Sequence, residues 1–200
     1  MGLGTADFFI KLLDSVLLSR RVSKSKVPAV PMPDADRVLV PSPIGALGVA
    51  YRDRTIVGLD IVPKGGRRRL YRPLKDLGPS EFADEMLGRL SEYFAGARRT
   101  FGFDLSLNDY DYDEFTVKVF VETLQIPYGE TRTYQKLASA IGASGSYRKV
   151  RSALIANPIP VLIPCHRVTP RRGGPGSYIA GERKKQWLLK LEDRHREGFG

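Results

Sequence analysis

The sequence predicts an α+β protein of two domains: an N-terminal α/β domain with a small antiparallel sheet, then an α-helical domain built on a helix-turn-helix. Three observations predict it. Residues 37–63, "RVLVPSPIGALGVAYRDRTIVGLDIVP", are rich in β-branched side chains and broken by turn signals at "PSPIG" and "RDR", the pattern of two or three antiparallel strands. Residues 79–96, "PSEFADEMLGRLSEYFAG", carry both ends of a helix, with Ser80 to cap it and Gly96 to stop it. After the acidic junction "NDYDYDE" the chain turns to short helices separated by Gly and Ser.

The elements follow in order. "FFIKLLDSVLLSR" places Phe9, Leu12, Leu13, Val16 and Leu17 at helical spacing, but Lys11 and Asp14 interrupt it, so it reads as an amphipathic helix packed on its own protein and not as a membrane span or a secretory signal. Residues 19–43 are rich in Arg, Lys, Ser and Pro and read as a loose connection, with a compact unit starting near Arg37. The expected domains are therefore an N-terminal helix and basic linker over 1–36, an α/β domain over 37–110 and a helix-turn-helix domain over 111–200. In the 79–96 helix, Phe82, Met86, Leu87, Leu90 and Phe94 form the apolar stripe. "FTVKVFVETLQ" is helical, "IPYGETRT" a turn, and "YQKLASAIG" a short helix closed by Gly142. A further helix begins after Ser144 or Ser146 and must end before Pro158. On it Arg148, Arg151, Ser152 and Ile155 share one face, while Val150 and Leu154 share another, so one face can meet DNA as the other packs inward.

Composition narrows the function. With 42% hydrophobic and 27% charged residues the chain is neither disordered nor a membrane protein, and it can bury a sizeable core. A formal charge of +10 points to anionic partners. Its distribution says more, because residues 131–181 contain no Asp or Glu but include Arg132, Lys136, Arg148, Lys149, Arg151, Arg167, Arg171 and Arg172, a field suited to phosphates. One Cys cannot form an internal disulfide, which favours a reducing, cytoplasmic setting (nuclear in a eukaryote). With only His166 and His195 beside it, no metal site is expected.

That Cys, Cys165, lies in "NPIPVLIPCHRV". A lone Cys in an apolar run is by base rate a small buried hydrophobe. Here Pro158, Pro160 and Pro164 are expected to hold an extended path that presents the thiol rigidly. Extended backbone would point Cys165 and His166 to opposite sides, so their cooperation needs a water or a turn.

"PCHRV", with Asn157 eight residues before the Cys and "RKV" and "TYQKLA" further upstream, resembles the O6-alkylguanine-DNA alkyltransferase family of direct-reversal DNA repair proteins. The resemblance runs from about Phe115 to Glu192 and is weak over residues 1–110. It implies a ribonuclease H-like N-terminal domain and a winged helix-turn-helix. It implies that Cys165 accepts an alkyl group from guanine O6 in flipped-out duplex DNA, irreversibly and once per molecule, with no cofactor. His166 would take the thiol proton through a water, Glu192 would orient the imidazole, and Asn157 would brace the turn. Tyr134 would donate to the purine, and Arg148 would fill the vacated stack. Tyr178, the main-chain carbonyls of Cys165 and Val168 and the N–H of Ile179 would line the base pocket. Lys149, Arg151 and Ser152 would complete the DNA face, and the protein would act as a monomer, with cooperativity on DNA left open. The chain departs from the family in the bulky Tyr147, Lys149 and Arg151 around Arg148, and in Ile179 and Ala180 after Tyr178. Two rivals stand beside this reading: a lesion sensor that grips alkylguanine without reacting, and a winged-helix regulator whose Cys senses oxidation or alkylation.

Overall fold

The computed structural model describes residues 34–62, 70–73, 76 and 80–196; the expected amphipathic helix around Phe9 and Leu17 lies outside them. Strands β1 (Asp36–Val40), β2 (Ala46–Arg52) and β3 (Thr55–Val62) form an antiparallel meander whose turns fall where "PSPIG" and "RDR" put them. β1 starts one residue before Arg37, where the compact unit is expected to begin, although the stretch read as a loose connection runs on to 43. Alternation along it buries Val38 and Val40, and the pairing of Asp36–Val40 with β2 satisfies the backbone.

The sheet is mixed, not purely antiparallel. β4 (Arg72–Pro73) adds parallel to β1 and β5 (Asp104–Leu105) parallel to β3, in the order β4-β1-β2-β3-β5. These edge strands are two residues long, too short for a period-two pattern, and one holds a proline that cannot donate to a ladder.

Helix α1 (Glu81–Phe94) begins where Ser80 caps it, its side chain accepting from the Ala83 N–H. Its buried face, Phe82, Met86 and Leu90, packs on the sheet, each side chain contributing about 1.5–3 kcal/mol by leaving water. Leu87 and Phe94, also expected in the stripe, pack only partly buried. Gly96 ends the helix at φ +78°, where a β-carbon would stand 2.4 Å from the His195 ring. The end of α1 is thereby pressed against the end of the last helix.

The second half holds α2 (Glu114–Leu124), α3 (Tyr134–Ala140), α4 (Tyr147–Ile155) and α5 (Glu182–Arg194). Asp113 and Thr133 cap α2 and α3, whereas Ser146 occupies the cap position of α4 without a side-chain cap bond. A two-stranded parallel ribbon, β6 (Arg132–Thr133) with β7 (Val168–Thr169), joins the start of α3 to the segment after Cys165. The sequence reads that place as turn alone. Val119, Leu137, Val150 and Leu154 form a core that includes Cys165, while the larger core runs from the sheet through Ile159, Val161 and Ile163 to Leu188 and Leu191. The segment carrying the cysteine therefore sits between the two cores.

Candidate active site

Residues 157–164 do not follow the extended path expected of them. Val161 adopts φ +77°, and the Ile163 N–H returns to the Ile159 carbonyl at 2.9 Å, so the segment is a tight loop. Prolines at 158, 160 and 164 remove three donors, and Asn157 supplies the missing closure: its Nδ2 donates to the Ile163 carbonyl at 2.9 Å and its Oδ1 accepts from the Ile159 N–H at 3.0 Å. Asn157 is fully buried, so both bonds are made away from water. The sheet holds the loop too, through the Leu59 N–H and the Pro158 carbonyl at 2.9 Å.

Cys165–Arg167 then form one turn of 3-10 helix, so the backbone here turns instead of running extended. His166 Nε2 meets Glu192 Oε1 at 2.8 Å, with both side chains fully buried. Arg167 grips the same carboxylate through Nε at 2.9 Å and Nη2 at 3.0 Å, and donates Nη1 to the Ile126 carbonyl. Tyr93 donates to Oε1 at 2.6 Å, and the Gly129 N–H reaches Oε2 at 3.1 Å. Burial raises the Glu192 carboxyl, but the charges and hydrogen bonds of His166 and Arg167 outweigh it and hold the group well below the usual carboxylate range. Burial pushes His166 down against the pull of Glu192, which favours the neutral ring. With Nε2–H given to the carboxylate, Nδ1 is the bare acceptor, and it meets no hydrogen-bond partner among the described residues.

The thiol is buried. Cys165 is 4% exposed, and burial pushes it up to about 11 against the opposing effects of the Asn157 side chain and the Lys185 charge. Tyr134, buried at the start of α3, and the half-buried Tyr178 pack in the cluster that covers it. A surface cavity lined by Gly129, Glu130, Asp193 and Arg196 lies behind Glu192, and Cys165 does not line it.

The expected pocket groups are near but already engaged. The Val168 carbonyl accepts from Lys185 Nζ at 2.5 Å and the Cys165 carbonyl from the Val168 N–H. Tyr178 has a buried hydroxyl with no partner among the described residues, and Ile179 is exposed. On α4, Arg148, Lys149, Arg151 and Ser152 are all exposed, and Val150 and Leu154 are buried as expected. The Arg148 guanidinium lies 5.7 Å from the Tyr147 ring centre, and Arg151 is hydrogen-bonded to Ser177. No group of three or more potential metal ligands occurs among the described residues, and no described helix is long and apolar enough to cross a membrane.

Sequence reasoning misses Tyr93, Arg167 and Lys185. Lys185 is fully buried, pushed down to about 8 by burial, and shares the inward face of α5 with Leu188, Leu191 and Glu192. A Lys and a Glu on an apolar stripe are the signal that could have found it. Tyr93 lies three residues from Leu90 and seven from Met86, on the buried face of α1.

A single buried thiol next in sequence to a histidine that pairs with a buried carboxylate, on an α+β frame with an exposed basic helix, fits a protein of cysteine chemistry on an anionic macromolecule. The family model for the 6-O-methylguanine DNA methyltransferase DNA-binding domain matches residues 114–194. A methylated-DNA–protein-cysteine methyltransferase of Methanosarcina barkeri is 35% identical over 157 residues, 78% of this chain and 96% of its own. Another, of Mycolicibacterium paratuberculosis, is 39% identical over 159 residues, 78% of this chain and 91% of its own. The crystal structure of Mycobacterium tuberculosis O6-methylguanine methyltransferase matches with a TM-score of 0.68 at 32% identity, over 80% of this chain and 94% of that one. A Mycobacterium tuberculosis OGT structure in complex with DNA gives the same TM-score at 33% identity. The chain belongs to the methylated-DNA–protein-cysteine methyltransferase family.

Proposed function

We propose that the protein repairs DNA by direct reversal, moving an alkyl group from guanine O6 in a flipped-out nucleotide to Cys165 in a single, irreversible turnover. One observation carries the site assignment: the chain's only thiol shares a turn with an imidazole that faces Glu192 through Nε2 and whose buried Nδ1 has no hydrogen-bond partner among the described residues. In the reaction His166 takes the thiol proton, through a water, and Glu192 with Arg167 stabilises the imidazolium. The sulfur attacks the alkyl carbon, the S–C bond forms as the C–O6 bond breaks, the guanine takes a proton from the Tyr134 side, and the proton held by His166 returns through water to restore the tyrosine. Net, the thiol proton replaces the alkyl group on guanine. The thioether has no good leaving group, and no second Cys exists to displace it.

Duplex DNA is the partner in this reading. Arg148 fills the stack, and Lys149, Arg151 and Ser152 meet the backbone. Entry of the base moves Tyr134 and Tyr178 off the sulfur and brings Ile179 N–H and the carbonyls of Cys165 and Val168 to the purine. The finer architecture belongs to the same proposal: a ribonuclease H-like domain over 37–110 and a winged helix-turn-helix over 111–200, acting as a cytoplasmic monomer.

Incubation with duplex DNA containing one O6-methylguanine tests it. Intact mass should rise by one CH2, peptide mapping should place it on Cys165, and the DNA should regain guanine. Binding without a mass change would replace the repair reading with a lesion sensor.

A further inference from the structure

We infer that Tyr93, from helix α1 on the sheet, is a positioning residue of the transfer site, fixing the Glu192 carboxylate and through it the His166 imidazole. The inference rests on the function proposed above. The Tyr93 hydroxyl is fully buried, donates to Glu192 Oε1 at 2.6 Å, and stands 3.4 Å from His166 Nε2. Phenol, imidazole and carboxylate oxygen thus form a closed triangle, with Oε1 accepting from Tyr93, His166 and Arg167.

The phenol is itself fixed. Its ring lies 4.7 Å from Phe101, 5.3 Å from Phe94 and 5.9 Å from Tyr128, centre to centre, the last two edge-on. Packing alone would be met by phenylalanine, and burying a hydroxyl costs free energy unless it finds a partner. The partner it finds is the one oxygen that the imidazole also uses. Three donors on one oxygen share its charge, so the phenol both sets where Oε1 stands and tempers its hold on the ring proton. Around the triangle Arg167 and Lys185 supply positive charge, Tyr178 and Tyr128 lie close by, and Arg99 stands beyond Tyr128. Among the described residues whose side chains touch the carboxylate, only Tyr93 comes from the sheet half; His166 and Arg167 belong to the cysteine turn. The sheet half would then reach into the chemistry instead of only supporting it.

The test measures single-turnover methyl transfer from duplex O6-methylguanine against pH, in the full chain. Tyr93→Phe should keep wild-type DNA affinity and slow transfer at neutral pH by about tenfold. The acid limb of its profile should move up by about 0.5–1 pH unit, because an untempered carboxylate holds the imidazole proton more firmly. In a Glu192→Gln background the same change should add no further loss. A ring-fluorinated tyrosine at position 93, a stronger donor of nearly the same shape, should move the limb down, and it carries the test if Tyr93→Phe folds poorly. An unchanged rate and profile in both variants, or an equal fold-loss with and without Glu192→Gln, would overturn the role of Tyr93. Absence of transfer by the unaltered protein would overturn the function itself.

Discussion

Thiolate absorbance at Cys165, read as the ultraviolet difference between the wild type and Cys165→Ser, should be missing at neutral pH and grow in only well above pH 9. The argument starts from position. Burial pushes the thiol up to about 11, so at pH 7.5 only about one molecule in 3,000 holds a thiolate. Three interactions limit the rise: the hydrogen bond of the Asn157 side chain, the Lys185 charge and a main-chain hydrogen bond. Lys185, itself pushed down to about 8, is charged only below that pH, so Lys185→Met should cut the thiolate fraction at neutral pH by roughly tenfold and leave the midpoint little changed. Transfer to DNA should slow in the same variant, since proton removal from sulfur becomes harder. An absorbance already present at pH 7 would refute the reasoning, because it would mean that the site activates the sulfur before any base enters. If the reasoning holds, the resting protein resists stray electrophiles, and the proton leaves only when His166 receives it with substrate in place.

Cys165→Ser should gain no mass from O6-methylguanine DNA while keeping its affinity, measured by fluorescence anisotropy. Arg148→Ala should slow transfer on duplex DNA more than on a free alkylated base, and equal losses on both would remove the stack-filling role. Asn157→Ala leaves the buried Ile159 N–H without its partner and removes one of two donors to the Ile163 carbonyl, and should lower stability by roughly 1–3 kcal/mol in urea melts. The Glu192 carboxyl titrates below its ordinary 4.5 when folded, so the stability it contributes is complete above that value and is lost as pH falls beneath it. Between pH 6 and pH 3 the wild type should lose about 2 kcal/mol more than Glu192→Gln does.

What could be read from the sequence was local. Ser80, Gly96 and Gly142 mark helix ends because capping and left-handed backbone are decided within a few residues. Cys165, His166 and Asn157 could be named from one short stretch, and the exposed face of α4 from its spacing. The rest depended on distant meetings. Tyr93 and Glu192 are 99 residues apart, and nothing near either predicts the other. β4, β5, β6 and β7 are each two residues long and exist only because other segments bring a partner alongside. The prolines of 157–164 say that the backbone is restricted but not where it turns; that depends on the bonds Asn157 makes with Ile159 and Ile163. The depth of Cys165 was likewise decided by side chains from α3 and the segment before α5.

The short ribbon of β6 and β7 has a practical outcome. Main-chain pairing sets Arg132 opposite Val168 and Thr133 opposite Thr169, so the spacing between Tyr134 and the sulfur is measured out by backbone alone. Side-chain swaps at 169 should leave that ruler intact, whereas Thr133 also caps α3 through its side chain. Adding or deleting one residue on either strand would slide the tyrosine by about 3.3 Å and disable a molecule whose every reactive group is still in place.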